Sequence, residues 1–513
     1  MKRKLLSLLL CAATAMGSIA LLASCAEGEN ADSKPSNTTL DPGGIIDPET
    51  RFLEKLPADL NFANEGLDEE DLTLYVAYVE GGNGAFTQRS LKADPLDESV
   101  VDQKTRERDE RMKAQLGLEL YIEQTGTGIA DMEGTIGTSL QAGNADYDIL
   151  AAYQYYGISM ATKGYLLNLA NLAEYDADYI DFDAPYWGKS YNDNMSYQGA
   201  YYWITGDIAL RYIGGMYCTF VNSALYRDYL EAEYGSIYTI AREGNWTMDK
   251  LIEMSGKIYK DNGLTVEEPD AEDTFGFGYE TNDPIDGIAV GCGVQFTYKD
   301  PTTGEILLTF NNPHSFEISD KINALATQST SFKFDDMDST NVMPAFANGT
   351  VAFHVNKLFQ AEAYLEGFED FYIIPAPKYD TNQANYITGL HDGCTIFGIT
   401  APTTKVAQAA AALEFLCAYS SKDVMPQYYE GALKKQFTRD QEAPEMIDLI
   451  HSNITTDFAV AWGASIDNIV HIFRQCKKIT NSDIKRDIKN WEGLIETLGE
   501  SLLKHKDGGA EAE

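Results

Sequence analysis

Between Leu72 and Tyr165 short apolar runs alternate with amphipathic stretches, a pattern that predicts βαβ units around a largely parallel sheet. Leu72–Val79 reads as a strand. Asp97–Leu116 is charged, stops at Gly117 and sets Val101, Lys104, Arg108 and Met112 at helical spacing, so a helix capped by Asp97 is expected. Leu118–Ile122 is the second strand. Met132, Ile136 and Leu140 recur on one helical face, Gly143 ends that helix, and Tyr147–Ala151 is the third strand.

From Tyr155 to Tyr212 the chain is dense in Tyr and Trp without clear period, which suits a crossing between two lobes. Met216–Val221 then reads as a strand. Thr247 is placed to cap a helix whose Met248, Leu251, Ile252, Ile258 and Tyr259 form an apolar face. Thr350–Val355, Phe371–Ile374 and Gly393–Ile399 are further strands, with a helix over Lys357–Glu366. Beyond Lys405 the pattern is helical: Ala407–Tyr419, Pro444–His451, Ser465–Lys477 and Ile484–Leu503. No internal repeat is visible.

The first residues change the picture of compartment. Lys2, Arg3 and Lys4 precede the apolar run Leu5–Cys11 and a small-apolar stretch from Ala12 to Leu22, which reads as an export signal over 1–24. Leu22-Ala23-Ser24-Cys25 matches a lipobox, so Cys25 is expected to be diacylated and to hold the protein on the extracytoplasmic face of the cell membrane. Residues 25–71 are poor in aromatics and rich in polar residues, Pro and Gly, a composition that reads as a flexible tether.

The formal charge of −40 excludes nucleic acid as a partner, because binding it requires Lys and Arg to neutralise phosphates. Besides Cys11 and Cys25, the cysteines Cys218, Cys292, Cys394, Cys417 and Cys476 lack disulfide-framework or zinc spacing and are expected to be buried free thiols, with one long-range disulfide as the alternative. His-Glu-x-x-His and Gly-x-Ser-x-Gly are absent, so no catalytic residue is assigned. Gly81-Gly82-Asn83-Gly84 lacks nucleotide-binding spacing, and Asp335-Asp336-Met337-Asp338 lacks the Gly and distal Glu of a calcium loop; neither metal nor cofactor is expected.

Five segments, in order, resemble the maltose-type class of extracellular solute-binding proteins, family 1. They are Asp146-Tyr147-Asp148-Ile149-Leu150 with Gly164-Tyr165-Leu166-Leu167-Asn168-Leu169; Met216–Asn222 with Leu225-Tyr226; Trp246-Thr247-Met248-Asp249-Lys250-Leu251; Phe346-Ala347-Asn348-Gly349-Thr350-Val351-Ala352-Phe353; and Ile373-Ile374-Pro375-Ala376-Pro377-Lys378. The resemblance implies an α/β fold of two lobes, each a mostly parallel sheet flanked by helices, joined by hinge segments and followed by a helical C-terminal region. Residues 72–206 plus 355–392 are expected in one lobe and 207–354 plus 393–506 in the other. It also implies a single-copy receptor that catalyses nothing, binds a small solute such as a sugar in the cleft, and delivers it to an ABC transporter permease. The loop Tyr153-Gln154-Tyr155-Tyr156 departs from the charged loop of the maltose binders, so maltose itself is not implied. A lipid-anchored glycoside hydrolase and a carbohydrate-binding surface lipoprotein are the alternatives.

Within that frame the ligand candidates are Tyr153, Gln154 and Tyr155 at a strand's carboxyl end, where open α/β sheets place ligands, with Trp203, Asp207, Asn356, His391 and Asp392 near the expected hinges. Tyr153, Tyr155 and Trp203 would stack on the apolar face of a sugar. Asp207 and Asp392 would accept its hydroxyls through charge-assisted hydrogen bonds, and His391 would donate to an oxygen. Core packing is the competing role for each ring, and the better one for Trp246 and Trp491.

Overall fold

Three of the apolar runs assemble first. In the computed structural model β1 (Thr73–Tyr78) lies between β2 (Glu119–Gln124) and β3 (Ile149–Tyr153) and is parallel to both, with Tyr75 opposite Tyr121 and Val76 opposite Ile149. The structure describes residues 51–80, 86–94, 99–263, 269–334, 342–365, 367–368, 370–429 and 442–506, all within one unit spanning 42–513. Cys25 and its signal, the Gly81–Gly84 run, Asp97 and the Asp335–Asp338 run lie outside the described residues.

The helix between β1 and β2 runs from Val100 to Leu116 and is capped by Ser99, whose hydroxyl accepts from the Asp102 N–H, in place of the expected Asp97. Val101, Thr105, Arg108, Met112 and Leu116 face inward. Gly117 closes it at φ 73°, and a Cβ there would stand 2.8 Å from that of Ala63, so both conformation and space demand glycine.

The second sheet is built from β4 (Tyr217–Asn222), β5 (Tyr259–Lys260), β6 (Thr274–Tyr279), β9 (Ser331–Lys333), β10 (Val351–Lys357) and β11 (Phe371–Pro375), while β7 (Thr297–Lys299) and β8 (Ile306–Leu308) pair separately. β4 and β10 are buried at every position, so the polar side chains they carry, Thr219 and Asn222 in β4 and His354, Asn356 and Lys357 in β10, are sealed in with the apolar ones. β10 runs antiparallel to β4 and parallel to β6, and β4 is antiparallel to β11. β12 (Thr395–Ile399) then returns to the first sheet, antiparallel to β3. Both sheets are therefore mixed.

This pairing reverses part of the expected lobe assignment. Phe371–Pro375, within 355–392, belongs to the second sheet, and Thr395–Ile399, within 393–506, belongs to the first. An apolar run bounded by turns specifies a strand but not its neighbours. The chain passes between sheets near 205–216, where Ile204 still bridges to Phe397 and Met216 already bridges to Leu390, and again near 390–394. The C-terminal helices are likewise divided. Val406–Tyr419 packs on Val100–Leu116 beside the first sheet, and Ala443–His451 packs on β11 in the second.

Two further expectations change. The helix expected over Ser465–Lys477 is a pair of 3-10 turns, Gly463–Ile466 and Ile469–Gln475, parted by Asp467 and Asn468 at φ 60° and 50°. Asp and Asn tolerate the left-handed region, which ends a helix whatever the apolar period. Residues 51–71, expected within the tether, pack on the body: Leu56 and Phe62 are buried, and the Arg51 guanidinium grips Asp181 at 2.5–2.9 Å. Behind Asp181, the carboxylate of Glu414 accepts from its N–H and from Tyr186 and Trp187. The five cysteines are buried free thiols, and Trp246 and Trp491 are buried in the core. No helix among the described residues is long and apolar enough to cross a membrane.

Candidate ligand-binding site

Both crossings meet the carboxyl end of β3 at Tyr153. The His391 and Tyr153 rings meet edge to face, with their centroids 6.4 Å apart. The guanidinium carbon of Arg211, in the short helix Leu210–Gly214 of the first crossing, stands 5.8 Å from the Tyr153 centroid and 5.5 Å from that of Phe359, just after β10. One cation is thus bracketed by a ring from each sheet. Gly393 permits this approach, since a Cβ there would lie 2.5 Å from the Tyr153 hydroxyl.

Below these rings runs a chain of alternating charges. Lys357 ends β10 and meets the Asp283 carboxylate at 2.6 Å; Asp283 opens the helix Asp283–Gly291. His391 Nε2 lies 3.1 Å from the same carboxylate and 3.5 Å from Asp392. Because His391 Nδ1 accepts from the Gly393 N–H at 3.0 Å, a neutral ring carries its proton on Nε2, directed at Asp283. Burial works against the Asp283 charge, but Lys357 and His391 overcome it and hold the carboxyl well below the usual range. One turn further, Asp286 takes a two-pronged contact from Arg474 at 2.5–3.1 Å. Burial pushes the Asp286 carboxyl up, to about 7, against the pull of that guanidinium. His471, in the same C-terminal turn as Arg474, is lowered to about 4 by burial and by Arg474, and stays neutral.

A pocket of about 190 Å³ opens at the carboxyl ends of β1 and β3, bounded by Val79, Met132, Glu133, Ala152, Tyr153 and Tyr156. Tyr156 is 43% exposed and meets Tyr155 edge to face at 4.9 Å.

Of the eight expected ligand residues, Tyr153, His391 and Asp392 converge, and Tyr155 stands beside them, its N–H donating to the Asp392 carbonyl at 2.9 Å. The Asp392 side chain is 30% exposed and the most accessible acid of the group. Gln154 is buried, held by the Tyr191 hydroxyl at 2.6 Å and the Ala461 carbonyl at 3.2 Å. Successive residues at a strand end point to opposite faces, so a neighbour of Tyr153 turns inward. Trp203 is buried and donates to the Ile158 carbonyl at 3.0 Å, which makes it a core residue and removes it as a stacking platform. Asn356 is sealed inside β10 against His354. Asp207 does sit on the first crossing, but it is buried against His451 at 3.3 Å, so it holds the crossing rather than a solute hydroxyl.

Arg211, Asp283, Lys357, Asp286 and Arg474 were not expected. Lys357 had a visible signal, as the charge that ends the run Val351–Asn356, and Asn282-Asp283-Pro284 is a helix start with an acid in its first turn. Nothing in the spacing of Arg211 or Arg474 shows which partner each reaches.

His451 closes the helix Ala443–His451, and its ring also meets Tyr212 of the first crossing and Tyr429, both at 6.0 Å. Burial lowers its pKa, but the hydrogen bond and charge of Asp207 and the charge of Asp448 outweigh this and raise it. Tyr212 and Tyr429, pushed well up by burial, remain neutral. A raised histidine contributes stability fully below its unfolded pKa, about 6.5, and loses it as pH rises through the folded value. The melting-temperature advantage of the protein over His451→Gln should therefore be largest near pH 6 and shrink toward pH 9; an advantage independent of pH would show that His451 acts by packing alone.

No protein-family model matches the chain, and no curated protein sequence matches it. Solved structures do. A cyclo/maltodextrin-binding protein complexed with maltotetraose is 14% identical, with 83% of this chain and 97% of that chain covered and a TM-score of 0.54. The galacto-N-biose/lacto-N-biose I-binding protein of an ABC transporter from Bifidobacterium longum, in complex with lacto-N-biose, gives 12%, 86%, 99% and 0.52. UgpB from Mycobacterium tuberculosis, in complex with glycerophosphocholine, gives 13%, 85%, 98% and 0.50. At such identity the likeness establishes the fold: an α/β chain with the two-lobed architecture of ABC solute-binding proteins.

Proposed function

We propose that this chain is the extracytoplasmic receptor of an ABC importer, that it binds a carbohydrate where the two sheets meet, and that it carries out no reaction. The observation that carries this reading is the position of Tyr153, His391 and Asp392. A tyrosine cluster stands at the carboxyl end of a strand, beside an accessible carboxylate, where the chain crosses between sheets. The rings supply a platform for the apolar face of a sugar, and Asp392 supplies an acceptor for its hydroxyls, while His391, whose two ring nitrogens are taken by the Gly393 N–H and Asp283, holds the crossing in place instead of donating to the solute. The sugar-binding proteins of like fold support the same ligand class. The segments 205–216 and 390–394 act as hinges, so that solute shifts an open population to a closed one that a permease recognises. The receptor works as a monomer.

A thermal-shift screen against a carbohydrate panel tests the reading, since a ligand at 100 times its dissociation constant stabilises by about 2.7 kcal/mol. A stabilising sugar recovered unchanged after incubation is the expected result. Hydrolysis of that sugar would establish an enzyme instead.

The lipobox Leu22-Ala23-Ser24-Cys25 supports a membrane location through an acylated Cys25. Cys25→Ala should move the protein from the membrane fraction to the soluble fraction; unchanged fractionation would remove the anchor.

A further inference from the structure

The turn Tyr197–Ala200 is gripped from two directions. Its central residues Gln198 and Gly199 both have positive φ, 46° and 78°, the geometry of a tight hairpin turn between the paired Tyr197 and Ala200. Glutamine is uncommon in the left-handed region, where its Cβ crowds the following carbonyl, so its neighbours must hold it there. The turn belongs with the first sheet, since Ile204, a few residues on, bridges to Phe397 of β12. Both clamps on it come from the side of the second sheet.

The first clamp is the β7–β8 hairpin, which leaves the chain between β6 and the helix Pro313–Thr327 that packs on β6 and β9. Lys299 of β7 donates to three acceptors just before the turn: the Asp193 carbonyl at 2.7 Å, and the Ser196 carbonyl and hydroxyl at 2.9 and 2.8 Å. These satisfy every donor of an ammonium. At the tip of the hairpin, a Cβ on Gly304 would stand 2.8 Å from the Gln198 Cα.

The second clamp is the end of the helix Asn481–Lys504, about 36 Å long at the usual rise. Its start is anchored to Pro313–Thr327, where the Ser319 hydroxyl accepts from the Ile479 N–H at 3.0 Å and Asn323 donates to the Cys476 carbonyl at 2.9 Å. Its end rests on the first-sheet side. The Tyr202 hydroxyl donates to the Leu502 carbonyl at 2.6 Å, Asn168 and Asn171 donate to the Lys506 carbonyl at 3.0 and 3.2 Å, and the Lys506 ammonium donates to the Gln198 carbonyl at 2.8 Å. Gly499 is buried within this helix, where glycine is otherwise unfavourable, and a Cβ there would overlap the Tyr197 hydroxyl.

We propose that the helix Asn481–Lys504 and the β7–β8 hairpin form a strap across the two sheets, which holds the solute-free protein in the arrangement that sets Tyr153 beside Arg211 and His391. None of the strap's contacts involves 205–216 or 390–394, so it restrains motion about those crossings from outside them. Opening requires the strap to leave the turn Tyr197–Ala200. Such a restraint raises apparent affinity, because a solute that needs this arrangement finds it already populated. The inference rests on the hinges proposed above and not on the identity of the solute.

The test measures distances between spin labels on Glu110→Cys, exposed on the helix Val100–Leu116 beside the first sheet, and Asp228→Cys, exposed on the helix Ser223–Tyr229 beside the second. Cys11→Ala and Cys25→Ala remove two competing thiols, and the other five are buried. Without solute the parent protein should give one narrow distribution. Tyr202→Phe with Lys506→Met removes two hydrogen bonds at the helix end and should enlarge a second, displaced population about tenfold, the equivalent of about 1.4 kcal/mol. Lys299→Met, which frees the hairpin, should enlarge the same population. Melting curves confirm that each variant is folded, and the panel sugar that raises the melting temperature most should return each to the parent distribution. Distributions that are identical in parent and variants, or broad in the parent already, would overturn the strap. If that sugar nevertheless shifts the parent, the hinges move unrestrained and the strap alone fails; if neither sugar nor substitution moves the labels, the hinges fail and the strap with them.

Discussion

Lys357→Met should lower the unfolding free energy by about 3–5 kcal/mol, the cost of removing one partner from a buried ion pair. Lys357 and Asp283 are both nearly sealed from solvent and touch at 2.6 Å. Removing the ammonium leaves the Asp283 carboxylate with the His391 Nε2 proton and a long contact of 3.4 Å from the Tyr217 hydroxyl. That is too little to offset the loss of its water. Adding Asp283→Asn should recover much of the stability, because a neutral amide oxygen still accepts from His391 and no charge is left stranded. Urea denaturation of the single and double variants provides the check. A loss well under 1 kcal/mol in Lys357→Met would mean that water reaches Asp283, and that the charge chain is a wet surface of the cleft.

Much of the scaffold was legible because its signals are local. Thr247 caps its helix as expected, with its hydroxyl accepting from the Lys250 N–H. Gly117 and the Met132–Ile136–Leu140 face fall where the pattern puts them, and the capping box of Thr480 and Asp483 opens the long helix Asn481–Lys504. What the pattern lacks is any record of partners. Phe371–Pro375 and Thr395–Ile399 are equally apolar, yet one joins β4 and the other β3. Only the route of the intervening chain, through the Met216–Leu390 bridge, decides which.

The same limit governs the site. Tyr153 and His391-Asp392 were visible because position alone selects them, one at a strand end and the others at a crossing. Gln154 and Asn356 stand beside residues of the candidate site but point into the core, so proximity in sequence misled. Arg211, Asp283 and Arg474 acquire meaning only from side chains far away in the chain: 188 residues separate Arg474 from Asp286. A long-range ion pair leaves no periodic trace, and in a chain with 79 acidic residues no single Asp is conspicuous.

The aromatic residues separate into two classes that mutation should pull apart. Trp246 is fully buried, donates its indole N–H to the Pro375 carbonyl at 3.0 Å and stacks on Phe353 at 5.7 Å. Trp246→Ala removes that volume and leaves the Pro375 carbonyl with the Thr219 hydroxyl as its side-chain donor, so it should cost about 3–5 kcal/mol of stability, chiefly through lost packing. It lies under the second sheet, away from Tyr153, and solute affinity should be unaltered in the protein that remains folded. Tyr156 is the opposite case. It is exposed, its contacts are with Tyr153 and Tyr155, and it borders the pocket. Tyr156→Ala should change stability by no more than about 0.5 kcal/mol, as exposed substitutions do. Its affinity for the best sugar or glycoside should fall by up to about tenfold, the worth of one aromatic contact. Paired melting curves and calorimetry on the two variants decide the matter. If Tyr156→Ala melts early and binds normally, the tyrosines at the end of β3 are packing residues and the solute lies elsewhere between the sheets.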